Sequence, residues 1–179
     1  MRIPPPVQCD LSDSVAQREI EISMLQRLTE KHPDWLRLDW ATTAVELTLP
    51  LVWQKAKPDA VWKVVRDASR GDELIICECY ARIGKIKAGH RRKLAIDALK
   101  LVALRQSLPI GPRVRWLIVV PEELYVQLQS GGWFTEALRL VEIVPVALTD
   151  IERRKLSKAT DRQAEGQSRQ AKTKKGRIA

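Results

Sequence analysis

A chain of 179 residues suits one hydrophobic core and falls short of two ordinary domains. With 45% hydrophobic and 30% charged residues, the composition excludes a collagen-like, low-complexity or wholly disordered chain. The net charge of +9 is unevenly spread: Met1 to Asp150 carries 21 Lys and Arg against 19 acids, and Ile151 to Ala179 carries 10 against 3. That basic end either attracts polyanions without sequence preference or simply keeps the terminus solvated. The first ten residues hold three consecutive prolines and no apolar run, unlike a secretory leader. Apolar runs such as Trp116 to Val120 are far too short to cross a bilayer. An odd count of three cysteines, with Cys77 and Cys79 two apart, reads as reduced thiols and a cytoplasmic location.

In chain order, Ser12 or Ser14 can cap a helix that ends near His32, since Pro33 opposes continuation. Val15, Ile22, Leu25 and Leu28 are its expected buried face. Glu21 shares that face, where a carboxylate needs a partner or a metal, and Glu19 falls nearer solvent. Alternation at Val45, Leu47 and Leu49 predicts a first strand within 43–53, closed or placed at an edge by Pro50. Residues 59–66 read as a second strand and 73–83 as a third, joined by a tight turn at Ser69-Arg70-Gly71-Asp72.

A long helix is expected from Ala88 to about Gln106, buried along Leu94, Ala98, Leu101 and Val102. Val114 to Val120 is a central strand covered on both faces. Pro121-Glu122-Glu123 starts a helix, and Gly131-Gly132 interrupts it before Trp133 to Leu140. Val141 to Leu148 reads as a last strand, and Asp150 as the cap of a charged final helix. From about Gln163 the composition predicts disorder. The reading is thus an α/β domain over 1–150 with a mixed central sheet flanked by helices, followed by a basic helix and tail over 151–179. The helix between the third and fourth strands suits a crossover between parallel strands.

The chemistry centres on two acids. Along the third strand Leu74, Ile76, Glu78, Tyr80 and Arg82 point one way, so Glu78 interrupts an apolar row. Asp59 opens the second strand directly after Pro58, and pairing through the Arg70-Gly71 turn brings Asp59 and Glu78 to one sheet face. Neighbouring carboxylates repel unless a proton or cation relieves them. Mg²⁺ suits such a pair, because it takes one or two carboxylates and substrate phosphate oxygens.

Pro58-Asp59, then Glu78-Cys79-Tyr80 on the next strand, resembles the PD-(D/E)xK nuclease superfamily. The element order over residues 12–120 resembles its αβββαβ, restriction-endonuclease-like core. The resemblance implies Mg²⁺ or Mn²⁺ bound by Asp59 and Glu78, with Glu21 of the first helix joining them, and metal-activated water attacking a phosphodiester of DNA in preference to RNA. The family's lysine falls at Tyr80, a departure that leaves its role of positioning water and stabilising charge unfilled. Lys93 on the crossover helix and Lys63 on the second strand are the candidates to supply it. Lys93 also stands one turn from Asp97, the spacing of an ordinary surface ion pair.

Arg82, Lys85, Lys87, Arg91, Arg92 and Lys93 fall within twelve residues, with His90 among them and no acid. Cations at a helix start oppose its dipole, so phosphate contacts explain Arg82, Lys85, Lys87, His90, Arg91 and Arg92 better than stability does. Zinc at Cys77, Cys79 and His90 lacks a fourth ligand. Trp62 and Trp116 read as core. The sequence therefore points to a metal-dependent endonuclease, with two alternatives: an inactive nucleic-acid-binding module on the same scaffold, or a structural, partner-binding protein. A homodimer is compatible with all three, and no membrane partner is expected.

Overall fold

The computed structural model describes residues 11–65, 73–108, 113–130 and 132–175. The expected turn at 69–72 lies outside them. A first helix α1 (Leu11–Lys31) leads into a short strand β1 (Trp35–Arg37), then helices α2 (Trp40–Glu46) and α3 (Leu51–Lys55). Strands β2 (Ala60–Val64) and β3 (Glu73–Cys79) follow, then helix α4 (Ala88–Ser107) and strand β4 (Arg113–Pro121). Helices α5 (Glu122–Leu128) and α6 (Trp133–Leu138), strand β5 (Glu142–Val146) and helix α7 (Asp150–Lys175) complete the chain. The architecture is α/β, with one five-stranded mixed sheet in the order β1-β2-β3-β4-β5. The β1–β2 and β2–β3 pairs are antiparallel, whereas β3–β4 and β4–β5 are parallel. A return between parallel neighbours needs a long crossover, and α4 supplies it between β3 and β4.

Both sheet faces are covered, which explains the continuous apolar runs of the central strands. On one face Ile20, Met24, Leu25 and Leu28 of α1 and Leu156 of α7 pack against Trp62, Ile75, Cys77, Leu117 and Val119. On the other, Leu94, Leu101 and Leu104 of α4 pack with α2, α5 and α6 on Val61, Ile76, Ile118 and Val120. The sequence misjudged which side of α1 turns inward at two positions. Val15 and Ile22 are more than half exposed, and Ile20 and Met24 take the buried places beside Leu25 and Leu28. Glu21 does lie inward, 8% exposed.

The first strand is the main correction. Residues 43–53 are helical over most of their length, and the strand lies earlier, at Trp35–Arg37. Asp39 overrides the apparent alternation: its Oδ1 accepts from the Thr42 N–H at 3.0 Å and caps α2. Trp40, Thr43 and Ala44 then go inward at helical spacing, and Val45 is exposed. Thr48, at φ 52°, breaks the helix before Pro50 starts α3.

Thr149, not Asp150, caps α7. Its Oγ1 accepts from the Glu152 N–H at 3.3 Å, while the Glu152 carboxylate accepts from the Thr149 N–H at 2.8 Å. This is a reciprocal capping box. The helix backbone continues to Lys175, across the stretch for which composition predicts disorder. No proline interrupts residues 150–175, so local propensity does not stop it. Among the described residues, no helix is long and apolar enough to cross a membrane.

Candidate functional site

The site exists because β2 is shorter than β3. Their register runs from Val64↔Glu73 to Ala60↔Cys77, and one further step sets Asp59 opposite Glu78. Pro58, the next residue back, has no N–H to donate to β3, and the paired strand β2 ends at Ala60. Past that end the amides on this side of β3 take other acceptors. The Cys79 N–H donates to Asp59 Oδ2 at 2.9 Å, and the Ala81 N–H donates to Glu21 Oε1 at 3.4 Å. Tyr80, between them, donates to Val119 O of β4 at 2.9 Å. Two carboxylates thus stand where strand carbonyls would have been.

Each acid also meets a cation. Arg18 Nη1 of α1 lies 2.6 Å from Asp59 Oδ1 and 3.6 Å from Glu21 Oε2, bridging those two acids. Lys100 Nζ of α4 lies 2.6 Å from Glu78 Oε1 and donates to Lys57 O at 3.0 Å. It thereby ties the crossover helix to both acid-bearing segments. The Glu78 side chain is only 6% exposed and that of Lys100 25%. Burial pushes the Glu78 carboxyl up to about 7, opposed by Lys100 and reinforced by the nearby Asp59 and Asp97 charges. Glu21 is raised chiefly by burial, with Gln17 and the Ala81 N–H acting against the rise.

Lys100 was not among the lysines singled out from sequence, and the two that were occupy other positions. Lys63 pairs with Leu74 at the far end of β2, about 13 Å from Asp59 at roughly 3.3 Å per residue. Lys93 places its ammonium 2.6 Å from each Asp97 oxygen. That pair is no plain surface bridge, since the Asp97 side chain is 5% exposed. Burial raises Asp97 against the pull of Lys93, and the Asp59 charge adds to the rise. The Lys93–Asp97 pair therefore borders the same site. The signal in the sequence was the spacing Lys93, Asp97, Lys100, a charged ridge beside the buried Leu94, Ala98 and Leu101 stripe. Tyr80, at the family's lysine position, is 5% exposed and packs in the core under α4.

The donor chemistry bears on a metal. Among the described residues no three His, Cys, Asp or Glu side chains converge on one ion position. Glu21 is turned to the Ala81 amide and Gln17, which leaves Asp59 and Glu78, opposite each other one step past the Ala60↔Cys77 pair, as the two remaining carboxylates. Two carboxylates with phosphate oxygens and water make an ordinary Mg²⁺ set. Each of the two now has a cation beside it, Arg18 on Asp59 and Lys100 on Glu78, so an ion between them would displace those contacts.

The basic loop is held in place from below. Gln127 of α5 donates to Gly84 O at 2.9 Å and accepts from the Ile86 N–H at 3.0 Å, framing a turn in which Gly84 takes φ 82°. Lys85, Lys87, Arg91 and Arg92 project into solvent. Arg82 and His90 differ from that expectation. Arg82 is partly buried and reaches Thr160 Oγ1 of α7 at 3.4 Å. His90 packs edge-on against Tyr80, and its Nδ1 accepts from the Lys87 N–H at 3.4 Å. Burial, then Arg82 and Lys87, lowers its pKa, which suits a neutral acceptor at the start of α4. Cys77 and Cys79 are free, buried thiols on the α1 face, whereas His90 lies on the α4 side with Tyr80. That separation disposes of the zinc alternative. Trp62 and Trp116 are core residues, as expected, and Trp133 is 77% exposed.

Compared with known proteins, the chain matches no family model, no curated protein and no solved structure.

Proposed function

We propose that this protein is a metal-dependent nuclease of PD-(D/E)xK type, acting on phosphodiester bonds of DNA, in which Lys100 supplies the lysine that Tyr80 displaces. The carrying observation is the 2.6 Å contact of Lys100 with Glu78, beside Asp59 in the next register position. It assembles two acids and a lysine in space although the lysine comes from a helix and not from the strand motif. The restriction-endonuclease-like core is supported by the order of α1, the antiparallel strands β1 to β3 with α2 and α3 inserted between the first two, α4 and parallel β4.

Asp59 and Glu78 would hold Mg²⁺ or Mn²⁺, which supplies charge neutralisation at the phosphate and lowers the pKa of a bound water. Lys100 keeps negative charge on Glu78 tolerable in a buried place and offers donors to a phosphoryl oxygen as charge grows there. Arg18 bridges Glu21 and Asp59 and restrains the latter's carboxylate. Lys85, Lys87, Arg91 and Arg92 would position the backbone, and such contacts carry no sequence information.

A second reading, a binding module without cleavage, is favoured by the cation already on each acid: Arg18 on Asp59 and Lys100 on Glu78. One assay separates the two. Wild type, Glu78→Gln and Lys100→Ala are incubated with plasmid and single-stranded DNA in Mg²⁺ or Mn²⁺. Cleavage by wild type, lost in both variants with binding retained, is the expected outcome. Micromolar binding with no cleavage by wild type under any of these conditions refutes the enzyme reading.

A further inference from the structure

Asp59 also forms the rim of an open cavity of about 400 Å³ on the α1 side of the sheet. It is lined by Arg18, Arg37 and Lys57 and by the apolar Ile22 and Leu25. Three cations against one acid give the cavity a positive balance beside apolar surface. Arg37 is already oriented: Nη2 donates to Asp59 O at 2.7 Å, and the guanidinium lies 4.9 Å from the centre of the buried Trp62 ring. Such a held guanidinium plane can stack on a base, and cations beside it can take phosphate. The volume lies at the low end of the roughly 300–1,000 Å³ range of small-ligand sites. It has room for a nucleotide unit and none for a duplex. The basic loop at 85–92 and this cavity are different surfaces, because the loop leads into α4 on the opposite sheet face.

We infer that this cavity holds the nucleotide next to the scissile phosphate of a single-stranded nucleic acid. Arg37 and Lys57 contact its phosphate or base, and Ile22 and Leu25 receive its apolar face. This rests on the nuclease reading for the word scissile, but the binding claim is tested apart from it. Lys57 and Ile22 are both exposed, so substitutions there leave the core intact, which circular dichroism and melting temperature verify.

Fluorescence anisotropy in EDTA keeps cleavage silent. The probes are a labelled single-stranded oligonucleotide, made as DNA and as RNA, and the corresponding DNA duplex, each titrated across a salt series. Lys57→Glu and Ile22→Glu should each weaken single-strand binding roughly tenfold, the scale of one lost base contact. Duplex binding should be unchanged. Lys57→Glu should also flatten the slope of log affinity against log salt by about 0.7, one phosphate contact on a single strand. The tighter of the DNA and RNA arms names the natural strand. Single-strand affinities equal to wild type in both variants, equal losses on the duplex, or no single-strand binding by wild type overturn the inference, whatever the cleavage assay gives.

Discussion

Replacing Lys100 by methionine removes the ammonium from a site where Glu78 is almost wholly enclosed, and the consequence should depend on pH. With Lys100 present, Glu78 titrates at about 7, burial being the main cause of the rise. Below that value Glu78 is mostly protonated in folded wild type and folded variant alike. The substitution there removes little more than a hydrogen bond, about 1 kcal/mol. Above pH 7 the folded wild-type carboxyl has released its proton, as the unfolded chain did already near the ordinary glutamate value of about 4.3. In the variant nothing offsets burial, so the folded state keeps the proton that the unfolded state has lost. A raised folded pKa gives stability that is lost as pH rises through it, so the variant falls further behind by about 1 kcal/mol per pH unit. By pH 9 the difference should reach about 3 kcal/mol, the scale of a broken buried pair. Urea unfolding followed by fluorescence of the buried Trp40 and Trp62 at pH 6, 7, 8 and 9 measures it. A gap equal at pH 6 and pH 9, or one whose pH dependence survives in a Glu78→Gln background, refutes the reasoning.

Mg²⁺ affinity should rise about tenfold per pH unit below 7 and level off above it, because an ion at Glu78 must displace its proton. Calorimetry in buffers of different ionisation enthalpy should find proton release at pH 6 and almost none at pH 8.5; identical release at both contradicts this. Lys93→Ala leaves the enclosed Asp97 carboxylate without its ammonium and should destabilise the fold by about 1–3 kcal/mol. A change within error in the urea midpoint would show Asp97 to be satisfied elsewhere. Thr149→Ala opens the capping box of α7 and should cost about 1 kcal/mol. The loss should appear first in hydrogen exchange at the start of that helix, and uniform exchange argues against it.

Much of the site was legible because strand physics is simple at Asp59 and Glu78. A proline before one acid and alternation around the other fix the face, and the antiparallel register does the rest. Glu21 was legible for the same reason, as a carboxylate on an inward helical face. Lys100 was not, because its role depends on how α4 lies over the sheet. Periodicity reports that a helix has an inner side but not which strand residue lies beneath each turn. The false strand at 43–53 has a different origin. Val45, Leu47 and Leu49 do alternate, but a single cap at Asp39 and a left-handed Thr48 decided the backbone instead. His90 shows the limit of counting charges, since it sits in a basic stretch yet serves as an uncharged acceptor.

The acceptance of the Cys79 and Ala81 amides by Asp59 and Glu21 has a consequence for association between chains. An unpaired strand edge is a template on which another molecule's strand can add, and proteins commonly blunt such edges with charge. Here one blunting group, Asp59, belongs to the candidate acid pair, and the other, Glu21, shares Arg18 with it. Asparagine or glutamine at these positions keeps an oxygen acceptor for each amide. Alanine at both bares two amides in line with β3, beside a row of buried apolar side chains. Truncating the acids to abolish cleavage therefore carries a second effect, the opening of a sticky seam through which copies of the chain could join into dimers or larger aggregates.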